Sequence, residues 1–106
     1  MPAAERRRGK KAELDVVHYL KNSGFDAKTS RSHTGEQKGF DIVVDLPVAI
    51  EVKDHGRMDL SGWLAQVAES ANGLVPIVWH KRRGFSNPKD WYVTMTGESF
   101  MRLVKR

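Results

Sequence analysis

The hydrophobic pattern of the chain is most distinct in two short apolar runs, at residues 42–44 and 48–52. Both runs are rich in β-branched residues, and Asp45-Leu46-Pro47 joins them, which is typical of two adjoining buried strands. Pro47 has no backbone donor, so it belongs to the connection or to the first position of the second strand. The pattern therefore predicts a buried β-hairpin.

Helical and strand patterns alternate on both sides of this hairpin. Helices are predicted at about 12–22, at about 60–71 and after Thr96, and further strands at about 25–29, 74–79 and 91–95. The order is helix, three strands, helix, two strands, helix. It predicts an α/β fold with a central mixed β-sheet of about five strands flanked by helices.

Two of the helices carry apolar residues at helical spacing, which predicts the faces that they bury. These residues are Leu14, Val17 and Leu20 in the first helix, and Trp63, Leu64, Val67, Ala68 and Ala71 in the second. Glu13 lies at the edge of the first stripe. Gly24 is the expected C-cap of the first helix, and Asn72-Gly73 is expected to end the second. Asp59 or Ser61 is expected to cap the start of the second helix, and Thr96 that of the third.

Three charged residues interrupt the apolar hairpin at its open end. Glu51 and Lys53 are two residues apart, so they point to the same face of a strand. Asp41 shares that face if it lies opposite Glu51, which requires a connection centred on Leu46. A two-residue Leu46-Pro47 turn would pair Asp41 with Val52 and turn it to the other face. We therefore predict the three-residue connection or an equivalent bulge.

A charge beside buried strands is costly unless it is paired or binds a ligand. Two carboxylates on one face are suited to Mg²⁺, which takes one or two protein carboxylates and keeps several waters. A lysine beside them can orient water or neutralise charge on a phosphate. Asp41, Glu51 and Lys53 together therefore indicate phosphodiester hydrolysis. The alternative is that Glu51 and Lys53 form only an ion pair on an exposed face.

Composition favours a polyanionic partner. The chain has 106 residues, 40% of them hydrophobic, and a formal charge of +5, with a pI near 9.7. This size suits one domain, residues 1–106. A basic protein without such a partner is the alternative.

No apolar run approaches the roughly 20 residues that span a bilayer, so we expect no membrane partner. The absence of cysteine excludes disulfides and fits a reducing compartment. We expect a cytoplasmic protein, or one associated with the nucleoid or with viral DNA.

Basic clusters supply the residues that are expected to contact DNA phosphates. Residues 1–11 form a predicted basic N-terminal arm, and the alternative is a solvated tail. The expected DNA-binding residues are Arg6, Arg7, Arg8, Lys10, Lys11, Arg31, Lys81, Arg82 and Arg83. Arg31 belongs to a polar loop that leads into Asp41 and either holds substrate or only connects.

The spacing of the hairpin charges resembles the signature of the PD-(D/E)XK nuclease superfamily. Asp41 is followed by nine residues and then by Glu51-Val52-Lys53. The segment from Arg8 to Glu13 is similar to the basic, glycine-containing start of archaeal-type Holliday junction resolvases. The resemblance covers roughly residues 6 to 80. Gly39-Phe40 departs from the pattern, which has proline directly before the aspartate.

The resemblance implies a restriction-endonuclease-like core, Mg²⁺-dependent DNA cleavage with Mn²⁺ as a substitute, and a homodimer acting on branched DNA. Carried over by position, it implies Glu13, Asp41, Glu51 and the Val52 carbonyl as metal ligands. Lys53 would be the catalytic lysine. A loop serine assists catalysis in that family, and the corresponding residue here is Ser32, with Ser30 in reserve.

Three functions remain open from the sequence. The first is a nuclease that resolves four-way DNA junctions by paired nicks. The second is another nuclease of the superfamily, such as a nickase, an exonuclease-like enzyme or a restriction-type enzyme. The third is a DNA-binding protein without catalysis, in which the hairpin charges are structural.

Overall fold

A computed structural model describes residues 2–30 and 39–105 of the chain. The described residues form three α-helices, α1 (Pro2–Asn22), α2 (Leu60–Ser70) and α3 (Gly97–Val104). Their strands are β1 (Ala27–Thr29), β2 (Ile42–Val44), β3 (Val48–Lys53), β4 (Val75–His80) and β5 (Tyr92–Thr94). A 3₁₀ turn at Pro88–Asp90 lies between β4 and β5.

The strands form one mixed sheet in the order β1-β2-β3-β4-β5. Strands β3 and β4 are parallel, and α2 is the crossover between them, whereas the other neighbours are antiparallel. The predicted α/β fold, with a mixed five-stranded sheet flanked by helices, is confirmed in this form. Predicted element bounds differ from the observed ones by one or two residues for β1, β4 and β5.

Helix α1 begins much earlier than predicted. It starts at Pro2, so the basic segment expected as an N-terminal arm is part of a helix. Alanine, glutamate, arginine and lysine dominate this segment, and all of them are good helix formers. The predicted buried stripe is also wrong at Leu14, which is 48% exposed. Ala12 and Val16 are buried instead, beside Val17 and Leu20, because they continue the same face at spacings of three and four.

The helices cover opposite faces of the central strand β3. Its residues Val48, Ile50 and Val52 belong to the apolar cluster that includes the buried face of α1. Ala49 packs instead with Trp63 and Val67 of α2. Because side chains alternate along a strand, Glu51 and Lys53 lie on the α2 side, at the carboxyl end of β3.

The predicted helix ends are confirmed by the backbone. The side chain of Asp59 accepts a hydrogen bond from Gly62 N at the start of α2, and Thr96 accepts from Ser99 N at the start of α3. Asn72 and Gly73 have φ values of 50° and 91° beyond α2, and Gly24 has 99° beyond α1. In the part of the chain that the structure describes, every helix is too short or too polar to cross a membrane.

Candidate active site

The open end of the β2–β3 hairpin brings Asp41 beside Glu51. Ile42 pairs with Ile50, so Asp45-Leu46-Pro47 is the connection. Asp41 precedes Ile42 and is close enough to Glu51 for its charge to raise the pKa of that residue. The predicted register, centred on Leu46, is thereby confirmed. The Asp41 amide donates to the Ile50 carbonyl at 2.8 Å. Its carboxylate Oδ2 accepts from the Val52 amide, also at 2.8 Å. The Asp41 side chain is therefore fixed against the end of β3.

Lys53 completes this group of charges. Its Nζ lies 3.2 Å from Glu51 Oε2 and 5.8 Å from the centroid of the Trp63 ring. The alternative expectation, an ion pair on an exposed face, is confirmed for the ion pair and wrong for the exposure. The ion pair exists, but Glu51 is only 7% exposed, and the lysine lies over a buried aromatic ring. The ring restricts the ammonium to the carboxylate end of the hairpin.

The charge of Glu51 is held in an unfavourable environment. Burial and the nearby Asp41 carboxylate raise the pKa of Glu51 to about 7, although the Lys53 charge and hydrogen bond oppose this shift. Desolvation and a like charge both disfavour the ionised form. A cation bound between Asp41 and Glu51 would relieve both effects, so the site is prepared to take up either a proton or a cation.

The three charges open into a cleft of about 430 Å³. Helix α1 contributes Glu5, Arg8, Gly9 and Glu13 to it, and positions 5, 9 and 13 recur every four residues along one side of the helix. The loop after β3 contributes Asp54 and Arg57. Among the residues that the structure describes, five carboxylates and three cationic side chains line the cleft, on a protein whose overall charge is +5. The cleft is therefore locally acidic within a basic molecule, which favours a bound cation.

Two of the three carboxylates predicted to bind Mg²⁺ are arranged as such an ion requires. Asp41 and Glu51 match an ion that takes one or two carboxylates and retains water. Within residues 2–30 and 39–105, however, no three histidine or acidic side chains are grouped to hold one metal ion. Glu13 lines the cleft without forming a three-carboxylate set with the other two.

The two serines considered for catalysis have different outcomes. Ser32, like Arg31, lies outside the described residues. Ser30 is fully buried. Its Oγ donates to the Phe40 carbonyl at 2.8 Å, and its amide donates to the Asp41 carbonyl at 2.8 Å. Ser30 therefore holds the segment that carries Asp41, and it does not face the cleft.

The predicted DNA-binding residues are distributed over two regions. Arg8 lines the cleft, whereas Arg6, Arg7 and Lys10 are exposed on the same helix. Lys11 is exposed and forms an ion pair with Asp15 at 3.1 Å. Lys81, Arg82 and Arg83 line a second cavity of about 620 Å³. This cavity shares Arg8, Asp54, His55 and Gly56 with the cleft, so the two are adjoining.

Several residues at this site were not expected from the sequence. Trp63 was predicted only as a core residue, yet its ring underlies Lys53 and lies 5.5 Å from the His55 ring. Tyr92 was predicted only as part of a strand, and it lines the second cavity. Neither has a local sequence signal for these roles, because the contacts join elements distant in the chain.

Comparison of the chain with protein-family models, with curated proteins and with solved structures gives no match.

Proposed function

We propose that the protein is a metal-dependent DNA endonuclease built on a restriction-endonuclease-like core. The observation that carries this proposal is the meeting of Asp41, Glu51 and Lys53 at one end of the hairpin, in a locally acidic cleft. Two carboxylates and a lysine at the edge of a basic surface suit the hydrolysis of a phosphodiester. A purely structural ion pair does not explain why Asp41 is held next to a carboxylate whose pKa is already raised by burial.

The proposed cofactor is Mg²⁺, with Mn²⁺ as a substitute. Asp41 and Glu51 would hold it together with the Val52 carbonyl, and Glu13, which lines the same cleft, would contact it only through bound water. Such a cation polarises a phosphoryl oxygen and lowers the pKa of a bound water. It is expected to replace the proton that Glu51 otherwise takes up near neutral pH.

The protein side chains have separate roles in this proposal. Glu51 and Trp63 fix the Lys53 ammonium, so it is already in place when substrate arrives. Lys53 then neutralises charge that develops on the phosphate, or orients the attacking water. Asp41 is kept in place by the amide of Val52.

DNA is the proposed substrate because cationic residues surround the acidic cleft. Arg8 lies in the cleft, and Lys81, Arg82 and Arg83 extend this surface into the adjoining cavity. Phosphate contacts of this kind supply sequence-independent affinity. Further proposed contacts come from the exposed residues Arg6, Arg7, Lys10 and Lys11, and from Arg31.

Branched DNA cut by a homodimer is the preferred form of the proposal. Symmetric paired nicks in a four-way junction require two active sites related by two-fold symmetry. Support comes from α3, where Phe100, Met101 and Val104 lie on one side and are 53%, 46% and 57% exposed. Exposed apolar groups of this kind mark interaction surfaces. The second candidate is another nuclease of the same type that nicks or degrades linear DNA.

Cleavage assays on labelled DNA test the activity. The purified protein is incubated with a four-way junction, a duplex and a single strand, with Mg²⁺, with Mn²⁺ and with chelator. We expect cleavage only with a divalent cation. Symmetric nicks near the crossover support the resolvase form, and end-dependent degradation supports the second candidate. Binding without cleavage under every divalent cation would reject the nuclease proposal.

Substitutions in the site test the residue assignment. We expect Asp41→Asn, Glu51→Gln and Lys53→Ala each to lower the cleavage rate by about 100-fold or more, because each removes charge from the reacting centre. Glu69→Gln and Lys28→Ala are matched controls, since both residues are exposed and lie outside the cleft. Full activity in all three site variants would show that the assignment is wrong.

A further inference from the structure

The cavity beside the cleft has features that phosphate binding alone does not explain. Its volume of about 620 Å³ falls within the range of roughly 300–1,000 Å³ that is usual for small-molecule sites. Its walls include two residues with large exposed apolar surface, Tyr92 at 55% and Met58 at 61%. Lys81 and Arg83 add positive charge to the same cavity. Apolar walls beside cationic groups match a ligand with both a flat apolar part and an anionic part.

Arg82 lies against two aromatic rings, of which Tyr92 lines this cavity and forms a platform in it. The Arg82 guanidinium carbon lies 3.8 Å from the Phe85 ring centroid and 4.5 Å from that of Tyr92. Its Nη1 donates to the Asp90 carbonyl at 2.9 Å. The guanidinium is therefore held by rings and by a carbonyl. Arg82, which is a proposed phosphate contact, is therefore also part of a stacking surface.

A row of rings connects this platform with the cleft. Ring centroids lie 5.5 Å apart between His55 and Trp63, 6.4 Å between Trp63 and His80, and 6.0 Å between His80 and Tyr92. His80 is buried, its Nε2 is 2.8 Å from Thr94 Oγ1, and burial lowers its pKa. Lys53 lies over Trp63, next to His55 at one end of the row, and Tyr92 lies at the other end. Because the cleft and the cavity adjoin, a strand of nucleic acid bound at Lys53 would continue into the cavity that Tyr92 lines.

We infer that this cavity is a subsite for an unpaired nucleotide, whose base stacks on Tyr92 and whose phosphate contacts Lys81 or Arg83. This inference rests on the proposed nuclease function and specifies its substrate class. A base inside a duplex is stacked on both sides and cannot reach an aromatic side chain, whereas an unpaired base can. The enzyme therefore acts on DNA that has unpaired nucleotides next to the scissile phosphate, as at a flap, at a bulge or at a junction whose central base pairs have opened.

Equilibrium binding in the presence of chelator tests the subsite without cleavage. The probes are a blunt duplex and the same duplex with a short unpaired thymidine flap. Each probe carries a fluorescent label, and its binding to the protein is measured by fluorescence anisotropy. We expect tighter binding of the flap probe by the wild type. Tyr92→Ala should weaken binding of the flap probe by about 5- to 100-fold, the range for loss of one base–aromatic stack, and should leave duplex binding unchanged.

Two further variants keep the test specific. Tyr92→Phe retains the ring and should bind the flap probe as the wild type does. Phe25→Ala removes another exposed aromatic ring, 37% exposed, from the loop between α1 and β1, and should change neither affinity. A 2-aminopurine in the flap reports stacking directly, since its fluorescence should be quenched by the wild type and not by Tyr92→Ala.

The outcomes separate this inference from the proposed function. Equal losses on both probes in Tyr92→Ala, or no loss on either, would overturn the subsite while Mg²⁺-dependent cleavage still stands. Selective loss on the flap probe, in a protein that never cleaves, would retain the subsite and reject the nuclease. Absence of binding to any probe would reject both.

Discussion

Glu51 is the residue at which burial and a neighbouring carboxylate disfavour a charge that Lys53 favours. It is almost fully buried, lies close to the Asp41 carboxylate, and is paired with Lys53 at 3.2 Å. The lysine offsets only part of the cost of burial and like charge, since the pKa remains raised to about 7. A group with this environment weakens folding when ionised and is available to bind a cation, which is a common compromise at functional sites.

The stability of the protein should depend on pH through Glu51. Its pKa is about 7 in the folded state against an ordinary value of 4.5. Its contribution is therefore full below pH 4.5 and is lost as the pH rises through about 7. We expect Glu51→Gln to gain stability relative to the wild type between pH 5 and pH 8, by about 3 kcal/mol at most. Urea unfolding of both proteins in chelator at each pH measures this difference.

Glu69→Gln, on an exposed position of α2, is the matched control for that measurement. Other titrating groups contribute equally to the free energy of unfolding of the wild type and of the variant, so their contributions cancel in the difference. A difference between wild type and Glu51→Gln that does not change from pH 5 to pH 8 would contradict the assigned environment of Glu51.

The segment before β2 carries Asp41 and is fixed to two other elements. Ser30 at the end of β1 bonds to the Phe40 carbonyl, and the Asp41 amide bonds to the Ile50 carbonyl of β3. Gly39 lies against the last residue of α2, where an added Cβ would overlap the Cβ of Ser70. Because Ser70 Cβ is attached directly to the helix backbone, it cannot rotate away. Close approach of the segment to α2 therefore requires glycine at position 39.

Substitutions at the contact between Gly39 and Ser70 should change the stability of the fold in a coupled way. We expect Gly39→Ala to destabilise the fold by about 1–3 kcal/mol through overpacking. The double variant Gly39→Ala with Ser70→Gly should recover much of that loss, since it removes the opposing Cβ. Chemical denaturation of the single and double variants measures the coupling. Additive effects of the two substitutions would show that Gly39 and Ser70 do not compete for space.

Charge is unevenly distributed over the molecule. The formal net charge is +5, yet five of the carboxylates that the structure describes line the cleft. Within residues 2–30 and 39–105, the adjoining cavity is lined by Arg8, Lys81, Arg82 and Arg83 against one carboxylate, Asp54. A cation is thus favoured in the cleft and a polyanion beside it, which agrees with the two components that phosphodiester hydrolysis requires.

This distribution should be visible in the salt dependence of DNA binding. We expect log K to fall linearly with log salt concentration, and Arg83→Ala to reduce the slope by about 0.9 if it removes one phosphate contact. The slope is measured with the flap probe, because the phosphate assigned to Arg83 belongs to the unpaired nucleotide. Lys21→Ala removes an exposed charge from the last turn of α1 and is the control. A slope unchanged by Arg83→Ala would exclude Arg83 as a phosphate contact.

The amino-acid sequence by itself determined the elements and the register of the hairpin. Alternation along a strand has a period of two, so a connection centred on Leu46 left one register in which Asp41, Glu51 and Lys53 share a face. Asp59, Thr96 and the Asn72-Gly73 pair fixed helix ends, because capping depends on neighbouring residues only. These features were predictable since each follows from short-range geometry.

Only the tertiary structure decided what surrounds the charged group. It made the basic N-terminal segment helical, exposed Leu14, brought Arg8 and Glu13 to the cleft, and buried Glu51 enough to raise its pKa. It also joined His55, Trp63, His80 and Tyr92, from four separate parts of the chain, into one row. Burial and contacts across the sheet depend on how whole elements pack, and no local pattern in the sequence contains that information.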